Sequence, residues 1–336
     1  MMKSRISIVM PFKNAASTLP EALRSVLAQT FHDWELLAVD DHSEDGSAEL
    51  VRSICGNDPR VRLMANAGPP GVVGASRTAG EAARAGWLAR MDSDDISHPE
   101  RLERQWNLTC ARPELDVIGC GVEILSPLGE GMVRHVEWVN AQMGPTSISN
   151  ARFIENPLVH PSSLMKKAAV DAAGGYLEVP WAEDHDLWLR LMERGAVFDK
   201  VPEALLSWRD SAGRLTRTDP RYGDDLRHRM RAHYLARMER VRACGVVVAG
   251  AGPIGKALAR ELIRLGVTVA GFFEVHPRRI GEIIHGAEVA DSGDLGKRWR
   301  EAVLLSAVGV PGGRRKVSDL ARSAGYAEGE DFWCLC

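Results

Sequence analysis

The sequence predicts an α/β protein in two parts. A doubly wound mixed sheet is expected over residues 1–210 and a smaller α/β domain over 244–336, with a linker at 211–243 that carries a basic amphipathic helix. Three observations carry this. Strands and amphipathic helices alternate through about the first hundred residues. Carboxylates stand where successive strands end. Later, an apolar run at 246–249 leads into the glycine pattern Gly250-x-Gly252-x-x-Gly255.

The elements follow in order. Residues 5–10 (RISIVM) form a β-branched strand that runs into a loop at 11–17. Ser17 or Thr18 is placed to cap a helix with Leu19, Leu23, Val26 and Leu27 on one face and Pro20 and Glu21 in its first turn. A second strand at 36–39 ends in Asp40 and Asp41, and the turn at 43–47 caps a second helix. A short strand at 61–64 and a glycine-flanked helix within 71–86 come next. Trp87, Leu88, Ala89 and Met91 then form an apolar strand that runs into Asp92, Asp94 and Asp95, with Pro99 opening a helix. Strands alternating in this way predict parallel pairing, with ligands bound beyond the strands' carboxyl ends. Residues 11–14, Asp40 and Asp41, and 92–95 should therefore converge on one rim.

That rim carries the first chemistry. Along an extended segment Asp92 and Asp94 point the same way while Ser93 points away. Two converging carboxylates suit a hard cation such as Mg2+ or Mn2+, which shares its remaining positions with phosphates. The implied guest is a nucleotide diphosphate. A solvated acidic turn capping a helix at Ser97 is the alternative. Asp41 can accept from the ring N–H of a uracil or from a ribose hydroxyl, and Asp40 and Asp41 can equally serve a turn that caps the next helix.

Composition narrows the function classes. Hydrophobic residues at 45% and charged residues at 26% are those of a soluble globular chain. A formal net charge of −3 gives no global pull toward nucleic acid. The six cysteines form no C-x-x-C pair and suit a reducing compartment rather than a disulfide framework or zinc site. No apolar run approaches the ~20 residues of a membrane span. A cytoplasmic protein is expected.

From 112 to 179 the pattern is looser, with a strand at 116–125 and another within 156–167 that ends in a helix cap. Glu183, Asp184 and Asp186 then load the first turn of a helix whose buried face is Leu187, Trp188, Leu191 and Met192. Complementing the helix dipole is the plain reading of those acids.

Four segments lie in order: VMPFKNAASTLPEALRSVLAQTFHDWELLAVDDHSEDGS, GASRTAG, DSDD-x-x-x-P-E-R-L and AEDHDLWLRLMERG. With them the first 210 residues resemble an inverting family 2 glycosyltransferase of the GT-A fold. The resemblance implies that Pro11 and Asp41 lie around the nucleotide base and that Arg77 contacts the donor. It places Asp92 by the ribose and metal, and makes Asp94 the main metal ligand. Asp184 would be the catalytic base, with Glu183 in support. His160, in a similar H-P-S segment, would be a metal or acceptor contact, against the plain reading of a packed histidine. One departure is Thr78, where the family more often has Asn.

The implied reaction moves a sugar from a nucleotide-diphosphate donor, a UDP-sugar by expectation, to the hydroxyl of a saccharide or lipid-linked acceptor. General-base work of this kind contributes ~10²–10⁴ in rate. Synthesis of cell-surface polysaccharide or glycolipid is the implied setting. Two other classes stand beside it. A sugar nucleotidyltransferase would carry a Gly-rich signature with Arg and Lys near its start, which PFKNAAST lacks. A non-catalytic nucleotide-sugar sensor would depend on the second domain.

The junction spans 207–243; its first part, 207–222, is polar and turn-rich, and is expected to act as a lid. The helix after it has Leu226, Met230, Tyr234, Met238 and Val241 in one stripe, flanked by Arg227, Arg229, Arg231, Arg237, Arg240 and Arg242. It is expected to pack between domains with a solvated basic face; peripheral contact with an anionic membrane is the alternative. In the last part, Gly250 allows the turn, Gly252 lets a phosphate approach and Gly255 packs helix on strand, while Glu274 stands where a ribose-binding acid belongs. This half resembles the Rossmann-like domain appended to some bacterial family 2 glycosyltransferases, and also the small nucleotide-sugar-binding domain of some bacterial sugar acyltransferases. Its ligand would be a dinucleotide or nucleotide-sugar. It has no Tyr-x-x-x-Lys and no His/Asp pair, so a binding, regulatory or docking role is expected.

Overall fold

The computed structural model describes residues 4–310 and 312–336. The chain divides into two compact units. The first takes residues up to Ile148, Pro157–Val179 and Glu183–Thr218; the second takes Ser149–Asn156, Pro180–Ala182 and Asp219–Cys336.

The first unit begins β1 (Ile6–Phe12), α1 (Leu19–Leu27), β2 (Trp34–Asp40), α2 (Ser47–Cys55), β3 (Val61–Ala65), α3 (Val72–Ala82) and β4 (Trp87–Arg90). It continues with β5 (Ile96–Ser97), α4 (Arg101–Ala111), β6 (Val117–Leu125), α5 (Glu130–Ala141) and the part of α6 (Gly144–Ala151) up to Ile148. After these come β7 (Leu164–Lys166), α7 (Lys167–Ala172), α8 (Glu183–Glu193), β8 (Phe198–Arg209) and α9 (Leu215–Thr218). Its eight strands lie in the order β3-β2-β1-β4-β7-β6-β8-β5. The first four are parallel, β7 runs against β4 and β6, and β5 runs against β8.

The middles of the central strands are mostly apolar because both faces are covered. Ile8, Met10, Leu36 and Ala38 face one core with Leu19, Leu23 and Leu102. Val9, Leu37 and Val39 face the other with Val73, Leu187 and Trp188. Each of the buried valines, isoleucines, leucines and methionines among them contributes about 1.5–3 kcal/mol by leaving water. One expected cap differs: Thr18 holds the cap position of α1 without a side-chain cap bond. At the head of α2, Asp45, within the turn at 43–47, accepts from the Ser47 amide. The helix expected to open at Pro99 begins at Arg101, because β5 intervenes and the His98 amide is taken by the Leu205 carbonyl.

The second unit adds α10 (Asp224–Leu235), α11 (Glu239–Cys244), β9 (Val246–Ala249), α12 (Pro253–Arg264), β10 (Val269–Glu274) and β11 (Ile283–Ile284). β12 (Ala287–Asp291), β13 (Val303–Ser306), α13 (Gly313–Ser323) and β14 (Phe332–Cys334) complete it. The sheet order is β11-β12-β10-β9-β13-β14, all parallel but the edge strand β11. Sequence order reverses at β9, the strand that leads into the glycine turn.

The basic helix expected as one element is two, broken where Met238 adopts extended backbone. α10 packs on α12 and buries His228, Met230, Arg231, Tyr234 and Leu235. Arg231, expected on a solvated flank, is buried and donates to the Ile154 carbonyl. The short segments belonging to this unit are anchored by aromatic contacts. Phe153 meets Trp333 edge-on at 5.4 Å, and Trp181 lies 5.3 Å from His233.

Candidate active site

β1, β2 and β4 end side by side, with Phe12 paired to Asp40 and Val9 to Arg90. One step further, the Asp41 amide donates to the Phe12 carbonyl at 2.8 Å and the Met91 amide to the Val9 carbonyl at 3.0 Å. Asp41 and Asp92 therefore leave the sheet at the same edge. There the chain turns at residues 93–94 instead of staying extended. Strand alternation would have set Asp95 opposite Asp94. The turn instead brings one carboxylate oxygen each of Asp92, Asp94 and Asp95 within 4.8 Å of one another.

These three carboxylates differ electrostatically. Asp95 is 1% exposed; its Oδ1 accepts from the Arg209 amide at 2.8 Å, and its Oδ2 has no hydrogen-bond partner. Burial, with the charges of Asp92 and Asp94, pushes its carboxyl well above the ordinary range. Asp94 is raised by burial and by Asp92. Burial also acts to raise Asp92, but the Arg90 guanidinium outweighs it and holds Asp92 low. A crowded all-oxygen set with an orphaned buried oxygen fits a hard divalent cation.

Basic side chains hold this loop in place. Arg90, 3% exposed, donates through Nε to Asp92 Oδ1 at 2.7 Å and through Nη1 to Ser76 Oγ at 2.5 Å. Arg209 donates through Nε to the Asp94 carbonyl and through Nη2 to Glu21, both at 2.7 Å. Arg101 is buried beneath and donates to the Arg90 and Pro161 carbonyls. In the segment expected as a lid, Arg214 stacks 4.0 Å over Trp208, and its charge reaches all three carboxylates.

On the donor side, Pro11 is buried in β1 beside Val39. Asp41 is buried and accepts from Asn66 Nδ2 at 2.7 Å and from the Gly71 amide at 2.8 Å. Thr78 donates through its hydroxyl to Asn66 Oδ1, so the residue that departs from the family pattern steadies the partner of Asp41. Asp40 accepts from the Ser43 amide, a turn role. Arg77 donates from Nε and Nη2 to the Tyr176 carbonyl at 3.2 and 3.0 Å.

His160 is buried, with Nε2 2.9 Å from the Tyr176 hydroxyl and its ring edge-on to Trp188 at 5.6 Å. Burial, then the Arg90 charge, lowers its pKa to about 3, while burial raises Tyr176 to about 12. Glu183 is buried, and its charge acts on Arg90 and Tyr176. Asp184 follows half-buried, its Oδ1 accepting from the His185 amide at 2.7 Å, and Asp186 pairs with Arg190 at 2.7 Å.

Arg90, Ser76, Tyr176 and Arg209 were not singled out from the sequence. The available signal was Arg90, a cation set inside the apolar run 87–91 next to three acids.

In the second unit Gly250 has φ +107°, and a Cβ there would meet the Ala307 carbonyl at 3.1 Å. A Cβ on Gly255 would lie 2.0 Å from the Gly250 carbonyl, whereas the space at Gly252 is open up to Arg279, 3.9 Å away. Glu274 accepts from the Ala251 amide at 3.2 Å and from the Val275 and His276 amides, and stands 3.6 Å from Arg279.

Residues 7–172 match the family model described as Glycosyl transferase family 2. This part of the chain is a family 2 glycosyltransferase, and the protein is an enzyme of that class. Putative glycosyltransferase EpsE of Bacillus subtilis (strain 168) is 28% identical over 225 residues, covering 66% of this chain and 78% of its own. The O-antigen biosynthesis glycosyltransferase WbnJ of Escherichia coli is 27% identical over 208 residues, 61% of this chain and 79% of its own. Among solved structures, TarS of S. aureus in complex with UDP-GlcNAc aligns with TM-score 0.57 at 17% identity, over 77% of this chain and 72% of its own. The mannosyltransferase PcManGT of Pyrobaculum calidifontis, in complex with GDP-Man and Mn2+, aligns with TM-score 0.50 at 17% identity, over 78% and 70%. The first unit has the GT-A-like arrangement and is accompanied by a second sheet. Among the described residues, no helix is long and apolar enough to cross a membrane.

Proposed function

We propose that the protein transfers a sugar, with inversion, from a nucleotide-diphosphate donor to a hydroxyl acceptor in cell-surface polysaccharide or glycolipid synthesis. The observation that carries this is the convergence of Asp92, Asp94 and Asp95 at the carboxyl rim of β1, β2 and β4. Asp94 and Asp92 are the ligands for Mg2+ or Mn2+, and the orphaned Asp95 Oδ2 adds a third oxygen to the set. A cation held there would supply positive charge against the departing diphosphate.

Pro11, Asp41 and Arg77 form the donor nucleotide side, with a UDP-sugar the expected donor. Asp184 takes the proton of the acceptor hydroxyl as its oxygen bonds the anomeric carbon and the bond to the diphosphate breaks. Glu183 supports it from within the Arg90–Tyr176 network. His160, already bonded to Tyr176, serves the acceptor side through that network. The acceptor is a saccharide or lipid-linked sugar, and the basic residues of α10 and α11 are the proposed means of peripheral membrane contact. For the second unit we propose a Rossmann-like ligand site at Gly250, Gly252, Gly255 and Glu274, for a dinucleotide or nucleotide-sugar.

The test is binding and hydrolysis of UDP-, GDP- and dTDP-sugars with Mn2+, in the full chain and in Asp94→Ala. Metal-dependent binding of one donor class, lost in the variant, is the expected result. Donor binding that ignores both Mn2+ and Asp94 would remove the metal site and favour the nucleotide-sugar sensor.

A further inference from the structure

We propose that Arg214 is a further catalytic residue, whose guanidinium binds the sugar-bearing phosphate of the donor and hydrogen-bonds the oxygen that departs from the sugar. The inference deepens the transfer reading above and rests on it. Every residue it draws on lies in the first unit.

Strand β8 carries this segment to the acidic loop. Ser207 of β8 pairs with Ile96 of β5, and the Arg209 amide donates to Asp95 Oδ1, which fixes the strand end against the carboxylates. The chain then folds back. Asp210 is buried and accepts from the Leu128 amide at 2.9 Å, and Arg217 pairs with it while donating to the Ser211 carbonyl. Arg214 stands between these two anchors. Its guanidinium lies 4.0 Å over the Trp208 ring and donates through Nη1 to Met132 Sδ at 4.0 Å. Trp208 and Met132 are themselves packed against the core.

The other arginines around the loop are engaged by the protein. Arg90 donates to Asp92 and Ser76, Arg101 to two carbonyls, and Arg209 to the Asp94 carbonyl and Glu21. Arg214 differs. Among the described residues its guanidinium meets an aromatic face and a thioether, a weak acceptor, yet its charge acts on Asp92, Asp94 and Asp95. Stacking covers the plane of a guanidinium and leaves the N–H groups on its edge to donate, in a fork that matches phosphate. In the transfer the acceptor oxygen bonds the anomeric carbon as its proton passes to Asp184. The bond from that carbon to the diphosphate oxygen breaks, and its electron pair stays on the diphosphate. Arg214 keeps its own proton and donates hydrogen bonds to that growing charge. Donors so placed contribute about 10²–10³ in kcat.

The experiment uses the full chain with Mn2+. Calorimetry measures binding of UDP, GDP and dTDP, and of the matching monophosphates, to the wild type, Arg214→Ala and Arg214→Gln. Hydrolysis of the sugar nucleotide with the tightest base gives kcat, and Mn2+ affinity is measured without nucleotide. In both variants the preferred diphosphate should bind about 10- to 100-fold more weakly, the monophosphate as before, and kcat should fall about 100-fold. Mn2+ affinity should hold or rise, because a positive charge has left the neighbourhood of its ligands. Diphosphate affinity and kcat like those of the wild type would overturn the proposal. So would a loss shared equally by mono- and diphosphate, or weakened Mn2+ binding, since either marks a residue that only keeps the loop in shape. Circular dichroism and Tm report folding, and Arg214→Gln, which keeps the side chain's bulk, decides the matter if the alanine variant unfolds. Asp94→Ala separates this from the reading beneath it. Mn2+-dependent diphosphate binding that survives Asp94→Ala removes the metal site itself, whereas loss there beside unaffected Arg214 variants removes Arg214 alone.

Discussion

Replacing His160 by glutamine should flatten the acid side of the stability profile of the first unit. In the folded protein burial and the Arg90 charge lower this imidazole from 6.5 to about 3. The unfolded chain takes up a proton as pH falls through 6.5, while the folded chain stays neutral until about 3. Stability present above the unfolded value is therefore lost progressively on the way down. Between about pH 7.5 and about pH 5.5 the loss from this one group is about 1.4 kcal/mol. Urea unfolding at the two pH values, followed by tryptophan fluorescence, measures it, and Trp188 beside the His160 ring is a local reporter. Glutamine can still bond the Tyr176 hydroxyl but does not titrate, and the carboxylates contribute to both proteins alike. The wild type should lose about 1.4 kcal/mol more than the variant over that interval. Equal losses in the two proteins would refute the reasoning, because His160 would then not be held neutral.

Two further outcomes follow from the geometry. Asp184→Asn should lower kcat by ~10²–10⁴ with little change in donor KM, read by steady-state kinetics of transfer. Gly255→Ala should destabilise the second unit by about 1–3 kcal/mol, since its Cβ would collide with the Gly250 carbonyl, whereas Gly252→Ala should fold as the wild type does. Thermal unfolding of the two variants separates them.

The layout of the first unit was legible wherever a segment's period and its end agreed. The strands at Ile6, Trp34, Val61 and Trp87 alternate with helices, and pattern alone placed Asp41 and Asp92 at one rim. The turn at 93–94 was not legible, because periodicity treats an acidic run after a strand as more strand and pairs only Asp92 with Asp94, leaving Asp95 without an assigned part in the site. Tyr176 and Arg209 escaped for another reason. Their partners lie far away in sequence, at His160 and Arg77 for one and at Asp94, Asp95 and Glu21 for the other, and no local spacing encodes such pairs. The basic helix was misjudged because a stripe of apolar residues continues across the break at Met238, and because Arg231 finds a backbone carbonyl that composition cannot announce.

The borrowing of Ser149–Asn156 by the second unit has a consequence for how the chain is made. Phe153 is buried against Trp333, and Ile154 packs with Val247, Leu304 and Phe332. Those partners leave the ribosome long after Phe153 does. With about 180 residues still to be added at ~5–20 residues per second, Phe153 waits roughly ten to forty seconds for its ring partner. Over that interval a half-made chain exposes an apolar segment whose resting place does not yet exist. The nascent protein should then be most open to chaperone capture and to mispairing, and least so once β14 has emerged.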